Sequence, residues 1–268
     1  MSNAPTIDSL GDHLSAVIRD QFATICRTLI RGPEATSKPG VWTLVTGEPH
    51  PLGNFAIIHD QSNPSPTRRA VEVLGATAAP SAMIFPHGAA SEINTFIGEH
   101  GFALAETMPA MAVDLDDLAR PAAAPGYELI EIDCGVAHDG WNEALEVGYG
   151  VPRRVAALFG PGPHHRSLDD ACTRYFTITK GDDLVATSMI FTEGGVPGVY
   201  CVSTLPDHRG KGLGAWATAA PLQSERERGR RLGVLQSSAM GESVYRWLGF
   251  RQFGAMHLYV RMPGESDG

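Results

Sequence analysis

The chain has 268 residues, of which 43% are hydrophobic and 19% charged, enough apolar material for one large domain or two small ones. Its formal net charge of −9 argues against a binder that neutralises nucleic-acid phosphates over a broad basic surface, and weakly favours cationic or amine partners. No apolar run reaches membrane-spanning length, and no basic segment leads into an apolar core at the N-terminus. Cys26, Cys134, Cys172 and Cys201 lie far apart with no CxxC spacing. They read as small buried hydrophobes, and the chain as cytoplasmic, with no metal, no nucleic acid and no membrane among its partners.

From the N-terminus, Leu10, Leu14, Val17, Ile18, Phe22, Ile25 and Leu29 recur at helical spacing, which predicts an amphipathic helix over Ser9–Leu29. Strand-like runs follow at 41–47 and 54–60, then the proline-containing loop QSNPSP and a helix from Thr67. A strand at 81–86, a helix around Ser91–His100, Gly101-Phe102 and a strand at 110–115 complete the first half. The segment ARPAAAPG, 119–126, is the clearest linker, since prolines and small residues cannot pack a core.

Beyond it, a strand is predicted at 127–133 and a helix at Ala137–Val147. The runs 174–180 and 184–192 form a hairpin turned by GDD. A strand at 198–205 enters the glycine-rich stretch HRGKGLG and a long helix. Then come the strand LGVLQSS, a helix through Tyr245 and Trp247, Gly249-Phe250 and a final strand to Met262.

The halves echo each other in the order helix, Gly-Phe, strand, and in the elements that precede it. This points to a diverged tandem repeat: 1–118, a linker at 119–126, and 127–268. The copies differ where chemistry could sit. The first half has QSNPSP in place of the glycine-rich loop, and Ile97 four residues before its Gly-Phe, where the second half has Tyr245.

HRGKGLG is no P-loop, because the GxxxxGK[ST] spacing fails and neither Ser nor Thr follows Lys211. A strict GxGxxG needs glycine at 215, where the chain has Ala215, and the preceding strand comes late, behind a hairpin. Glycines at a helix start suit an anion, because backbone can approach it closely and first-turn N–H groups point at it. Alone, the loop is as consistent with a turn that merely starts a helix.

Taken with VLQSSAMGESVYRWLGFR some thirty residues on, the stretch VSTLPDHRGKGLGAWAT closely resembles the GNAT superfamily of acetyl-CoA-dependent N-acetyltransferases. The loop matches its [R/Q]-x-x-G-x-[G/A] motif and the Tyr–Gly-Phe segment its later motif. The resemblance covers 127–262, with the first half like a degenerate copy. It implies an α/β fold of two GNAT-like domains in tandem, each a mostly antiparallel mixed sheet flanked by helices, with catalysis in 127–268.

The resemblance also implies roles. Backbone groups of Val202, Ser203 and Thr204 would pair with the pantetheine arm of acetyl-CoA. The amides of Arg209, Gly210, Lys211, Gly212, Leu213, Gly214 and Ala215 would cradle its pyrophosphate. Tyr245 matches the tyrosine whose hydroxyl faces the coenzyme sulfur. The expected reaction is attack of a small-molecule amine on the thioester. Full proton transfer from a tyrosine of pKa about 10 to a thiolate of about 8.5 is uphill by about 2 kcal/mol, so a hydrogen bond is the expected contribution. Freeing an amine of pKa about 10.4 at pH 7 costs roughly 4.6 kcal/mol, so a base or water chain is needed.

Relatives often carry a glutamate on the strand before the loop, but no carboxylate lies between Gly198 and Leu205. Glu193, Glu143, Glu146 and His208 are candidates by residue type only. Pro221 should kink the helix after the loop, and 224–231, SERERGRR, reads as an exposed charged face. His164-His165 lacks partners at ligand spacing and reads as a loop near the acceptor cleft. A catalytically silent coenzyme-binding module and transfer of a longer acyl group are the rival readings. The oligomeric state stays open between monomer and homodimer.

Overall fold

The computed structural model describes residues 4–30, 32–60, 62–163 and 173–263. The His164-His165 pair and Cys172 lie outside the described residues. The N-terminal helix is two pieces, α1 (Ile7–Leu10) and α2 (Leu14–Leu29), parted at Gly11, whose φ of +48° breaks the helical path.

The next elements are β1 (Ala35–Lys38), β2 (Val41–Val45), β3 (Asn54–Ile58), α3 (Ser65–Gly75), β4 (Ser81–Phe85), α4 (Ser91–Glu99) and β5 (Ala103–Asp114). The second half brings β6 (Glu128–Ile132), α5 (Asp139–Tyr149), α6 (Arg153–Ala157), β7 (Thr173–Lys180), β8 (Asp183–Glu193) and β9 (Val196–Thr204). It ends with α7 (Leu213–Glu227), β10 (Leu232–Gln236), α8 (Glu242–Trp247) and β11 (Arg251–Arg261). The periodic segments stand where the sequence puts them, whereas β1 and α6 are short and carry no periodicity to find.

The chain forms two compact units that do not follow its linear order. One takes 4–21 and 109–254, the other 22–108 and 255–263. The linker at 119–126 and these units divide the chain differently, because the units exchange end strands. In the larger unit the strand order is β5-β10-β9-β8-β7-β6, with β9 and β10 parallel and the other pairs antiparallel. The smaller unit runs β1-β2-β3-β4-β11, with β3 and β4 parallel and the other pairs antiparallel. Each unit therefore repeats the pattern antiparallel, parallel, antiparallel around its central strand. Each also closes that pattern with a strand from the other half of the sequence: β5 against β10, β11 against β4.

In the larger unit both sheet faces are covered. Met111, Val113, Ile190 and Val199 pack with Ala215, Ala219 and Leu222 of α7 and with Leu248 and Phe250. Ala110, Ala112, Val196 and Val234 pack with Ile7, Leu14 and Ile18 of the N-terminal helices. Burying a side chain such as Leu14 or Ile18 stabilises the fold by roughly 1.5–3 kcal/mol, so this segment is part of the larger unit's core. In the smaller unit Ala70, Val71 and Leu74 of α3, Ile93 and Ile97 of α4, and Met83, Phe85 and Tyr259 form the core.

The same helix ending recurs in both units. After α4, the Phe102 N–H donates to the Ile97 carbonyl at 3.1 Å, with Gly101 at φ +81°. After α8, the Phe250 N–H donates to the Tyr245 carbonyl at 3.0 Å, with Gly249 at φ +100°. A left-handed glycine followed by this long backward bond is a Schellman cap, which glycine forms without steric cost. The equivalence of Ile97 and Tyr245 is thus a matter of hydrogen bonding as well as of sequence.

Candidate functional site

β9 and β10 run parallel but pair at one position only, Val234 with Gly198. Past Gly198 the two strands separate, so β9 from Val199 to Thr204 has a partner on its β8 side alone. Two features of the sequence support the opening. β9 carries an extra residue against β8, with Thr187 opposite Ser203 and Met189 opposite Tyr200. Cys201, within this bulge, has φ +52°, a left-handed backbone that a non-glycine residue adopts only under constraint. The Thr187 hydroxyl donates to the Cys201 carbonyl at 2.8 Å and holds the bulge in place.

The residues of β9 divide by direction. Val202, like Val244 and Tyr245, packs against the core under α7 and α8. The buried Ser203 hydroxyl donates to the Ala144 carbonyl of α5 at 2.8 Å, and a Cβ on Gly148 would overlap its oxygen. Ser203 therefore anchors α5, and its main chain pairs with β8. The Leu205 N–H donates to Val185 of β8 at 2.9 Å, so by alternation the main-chain groups of Thr204 face the open edge.

The chain then passes through a single 3₁₀ turn, Pro206–His208, into the glycine-rich loop. Tyr127 braces this turn, its hydroxyl 3.1 Å from His208 Nδ1 and its ring edge-on to the imidazole. Gly210 and Gly212 both have φ +75°, so each needs the freedom of glycine. Gly212 is the N-cap of α7 and no side chain caps the helix. The amides of Leu213, Gly214 and Ala215 in its first turn thus have neither an intrahelical acceptor nor a capping group. With the helix dipole behind them, they suit an anion. Arg209 Nε donates to the Thr204 carbonyl at 3.1 Å and Lys211 Nζ to the Asp207 carbonyl at 2.8 Å, so both cations are bound to the loop they flank.

Helix α7 continues through Pro221 to Glu227. It is not an exposed charged helix end throughout, as SERERGRR suggested. Glu225 is buried, 2.6 Å from Arg174 Nη1 of β7, and Arg174 also reaches Ser224 and Glu131. The turn of the helix at Glu225 faces the sheet, which hydropathy alone does not reveal. Arg226 and Arg231 instead pair with Asp116 at the surface.

Tyr245 is partly buried, its ring 6.0 Å from that of Phe250. Burial pushes its hydroxyl up to about 12 and likewise pushes the Cys201 thiol up to about 12. Cys201 is only partly buried, so the four cysteines are not uniformly core residues; Cys26 is buried and Cys134 is partly so. Tyr149, at the C-terminal end of α5, was not singled out from sequence. Surrounding protein raises its hydroxyl well above the usual value, with smaller contributions from Cys201 and Tyr245. Its side chain nonetheless keeps 49% of its surface accessible. The lone signal for it is an aromatic just before the Gly150 helix cap.

The candidate bases named by residue type are otherwise engaged or out in solvent. Glu146 pairs with Arg153 at 3.3 Å, His208 bonds Tyr127, and Glu143 and Glu193 are exposed. Among the described residues no cluster of His, Cys, Asp and Glu could hold a metal ion, and no helix is long and apolar enough to cross a membrane.

Solved structures share this architecture over nearly the whole chain. A GCN5-related N-acetyltransferase from Kribbella flavida superposes with a TM-score of 0.62 at 21% identity, covering 94% of this chain and 96% of that one. One from Sphaerobacter thermophilus gives 0.60 at 15% identity, covering 99% and 96%. A tandem GNAT protein from the clavulanic acid biosynthesis pathway gives 0.55 at 14% identity, covering 99% and 98%. No family model matches the sequence, and no curated protein matches it at significance. The chain has the GCN5-related N-acetyltransferase fold, α/β with mixed sheets flanked by helices.

Proposed function

We propose that the protein is an N-acetyltransferase that moves the acetyl group of acetyl-CoA to a primary amine of a small molecule, with the chemistry confined to 127–268 and the first half a degenerate copy. The observation that carries this reading is the convergence of three features in one unit: the opened β9–β10 pair, the uncapped first turn of α7 and Tyr245. In this reading the loop amides from Arg209 to Ala215 hold the pyrophosphate. The pantetheine arm lies along β9, with the edge of Thr204 and the surface of Val202 as its contacts and Ser203 fixing the strand to α5.

The amine nitrogen attacks the thioester carbonyl carbon, the C–S bond breaks as the tetrahedral adduct collapses, and the thiolate leaves. The amine's proton passes to water, since Glu146 is paired with Arg153 and Glu143 and Glu193 lie out in solvent. A tyrosine at about 12 facing a thiol of about 8.5 would give up its proton at a cost of nearly 5 kcal/mol, so Tyr245 supplies a hydrogen bond to sulfur. A cytoplasmic location accords with an acyl donor made and used there.

Thiol release from acetyl-CoA across a panel of primary amines tests the reading. Turnover with one or more amines is expected. Tight coenzyme binding without turnover would turn the reading into a silent coenzyme-binding module, and faster turnover with longer acyl-CoA donors would change the acyl group.

A further inference from the structure

One groove of the larger unit borders the amide cradle and has no occupant in the mechanism above. It has a volume of about 360 Å³ and is lined by Pro121, by Gly212 and Ala215 of the α7 start, and by Ser243, Val244 and Trp247 of α8. On α8, positions 243, 244 and 247 share one face at the helical spacing i, i+1, i+4. Tyr245, two residues from Trp247, lies about 200° around the helix from it and packs with the core instead. α8 does not need Trp247 for its seat, because Leu248 is fully buried, Val244 packs on the core and Arg246 pairs with Glu242 at 2.6 Å. The Trp247 side chain is 61% exposed, a large apolar surface left in water beside a preformed groove.

We propose that this groove seats the adenine base of the coenzyme, with the Trp247 indole as its stacking platform. The inference rests on the coenzyme reading above and adds the residue that recognises the nucleotide end. The occupant follows from continuity. Gly212 and Ala215 belong both to the amide cradle and to the groove wall, so a ligand whose pyrophosphate sits on the cradle places its adjoining nucleoside at the groove. The α7 side of the groove is built of small residues, Gly212 and Ala215, and Ser243 beside the indole is small as well, which leaves room for a flat ring. A planar π-system between small residues and an indole accepts a purine by its face without hydrogen-bond readout.

Isothermal titration of the full chain with coenzyme A and with 4′-phosphopantetheine, which lacks the adenosine, tests the proposal. Trp247→Ala should weaken coenzyme A binding about tenfold, equivalent to about 1.4 kcal/mol, and leave 4′-phosphopantetheine within twofold. Trp247→Phe, which keeps an aromatic face, should recover most of the loss. Unchanged coenzyme A affinity in Trp247→Ala, or equal weakening of both ligands, overturns the adenine seat while leaving the coenzyme reading intact. A wild-type chain that binds neither ligand overturns both.

Discussion

The parallel pairs of the two units are built alike and end differently. β3 and β4 are zipped at Phe55–Ala82, Ala56–Met83 and Ile57–Ile84, and β3 pairs with β2 without a register shift. β9 and β10 meet once and β9 is bulged. The helices that follow also part ways. The first amide of α3, on Ser65, is taken by Asn63 Oδ1 at 2.8 Å, and its second position is Pro66, which has no N–H. The first turn of α7 is left open. Ile97 fills the smaller unit's core, where Tyr245 is only partly buried. A shared frame tolerates either outcome; in the proposed reading the sites for an anion and a thioester arm reside in these local departures, each of which costs the sheet or helix some regular bonding.

The largest expected effect concerns what fixes α7 to its sheet. α3 is held by apolar contacts of Ala70, Val71 and Leu74, whereas α7 adds the buried Arg174–Glu225 pair. Glu225→Ala leaves the buried Arg174 short of one partner and should lower unfolding free energy by about 3–5 kcal/mol in a denaturant titration. A loss under 1 kcal/mol would show that the pair is energetically idle. Tyr245→Phe should reduce kcat about a hundredfold while coenzyme affinity stays within twofold. An unchanged kcat would remove Tyr245 from the chemistry and erase its difference from Ile97. Gly212→Val puts a β-branched residue at φ +75°, straining the loop by about 1–3 kcal/mol, and should weaken coenzyme A binding by tenfold or more. No atom lies within 4 Å of the added Cβ, so the loss would report backbone strain and not a clash within the protein. Wild-type affinity in this variant would sink the loop assignment.

Much of this contrast was legible in the sequence. Glycines at 210 and 212 mark a loop whose backbone can approach an anion before a helix, and QSNPSP marks the first half as lacking that loop. The exchange of end strands was not legible, for a physical reason. β5 contains Ala110-Met111 and β11 contains Ala255-Met256, both within runs rich in apolar residues, and such a run specifies a buried strand without specifying its neighbour. The splay of β9 was equally hidden, since the bulge turns on a left-handed cysteine, which no propensity anticipates. Glu225 was misread because a buried ion pair looks in sequence like any charged helix end.

The smallest expected effect is on the shape of the pH profile, and it bears on how the open unit uses its tyrosine. Burial raises Tyr245 from about 10 to about 12, so its hydroxyl stays protonated throughout the alkaline range in which an amine of pKa about 10.4 loses its proton. With acetyl-CoA and a primary amine, kcat/KM should climb close to tenfold per unit between pH 7 and 9, set by the amine alone. Tyr245→Phe should lower the curve by a constant factor without moving its limb. A descending limb below pH 10 that disappears in Tyr245→Phe would mean the hydroxyl titrates at its ordinary value and shares its proton with sulfur. The stability linkage has the same sign: a hydroxyl raised on folding contributes fully below about pH 10 and loses that contribution as pH rises toward about 12. Cys201, also raised to about 12, begins to lose its share nearer pH 9. Alkaline unfolding should therefore start earlier in the wild type than in a Cys201→Ala variant, by less than one pH unit. The open cleft would then owe its alkaline sensitivity to the strand bulge that made it.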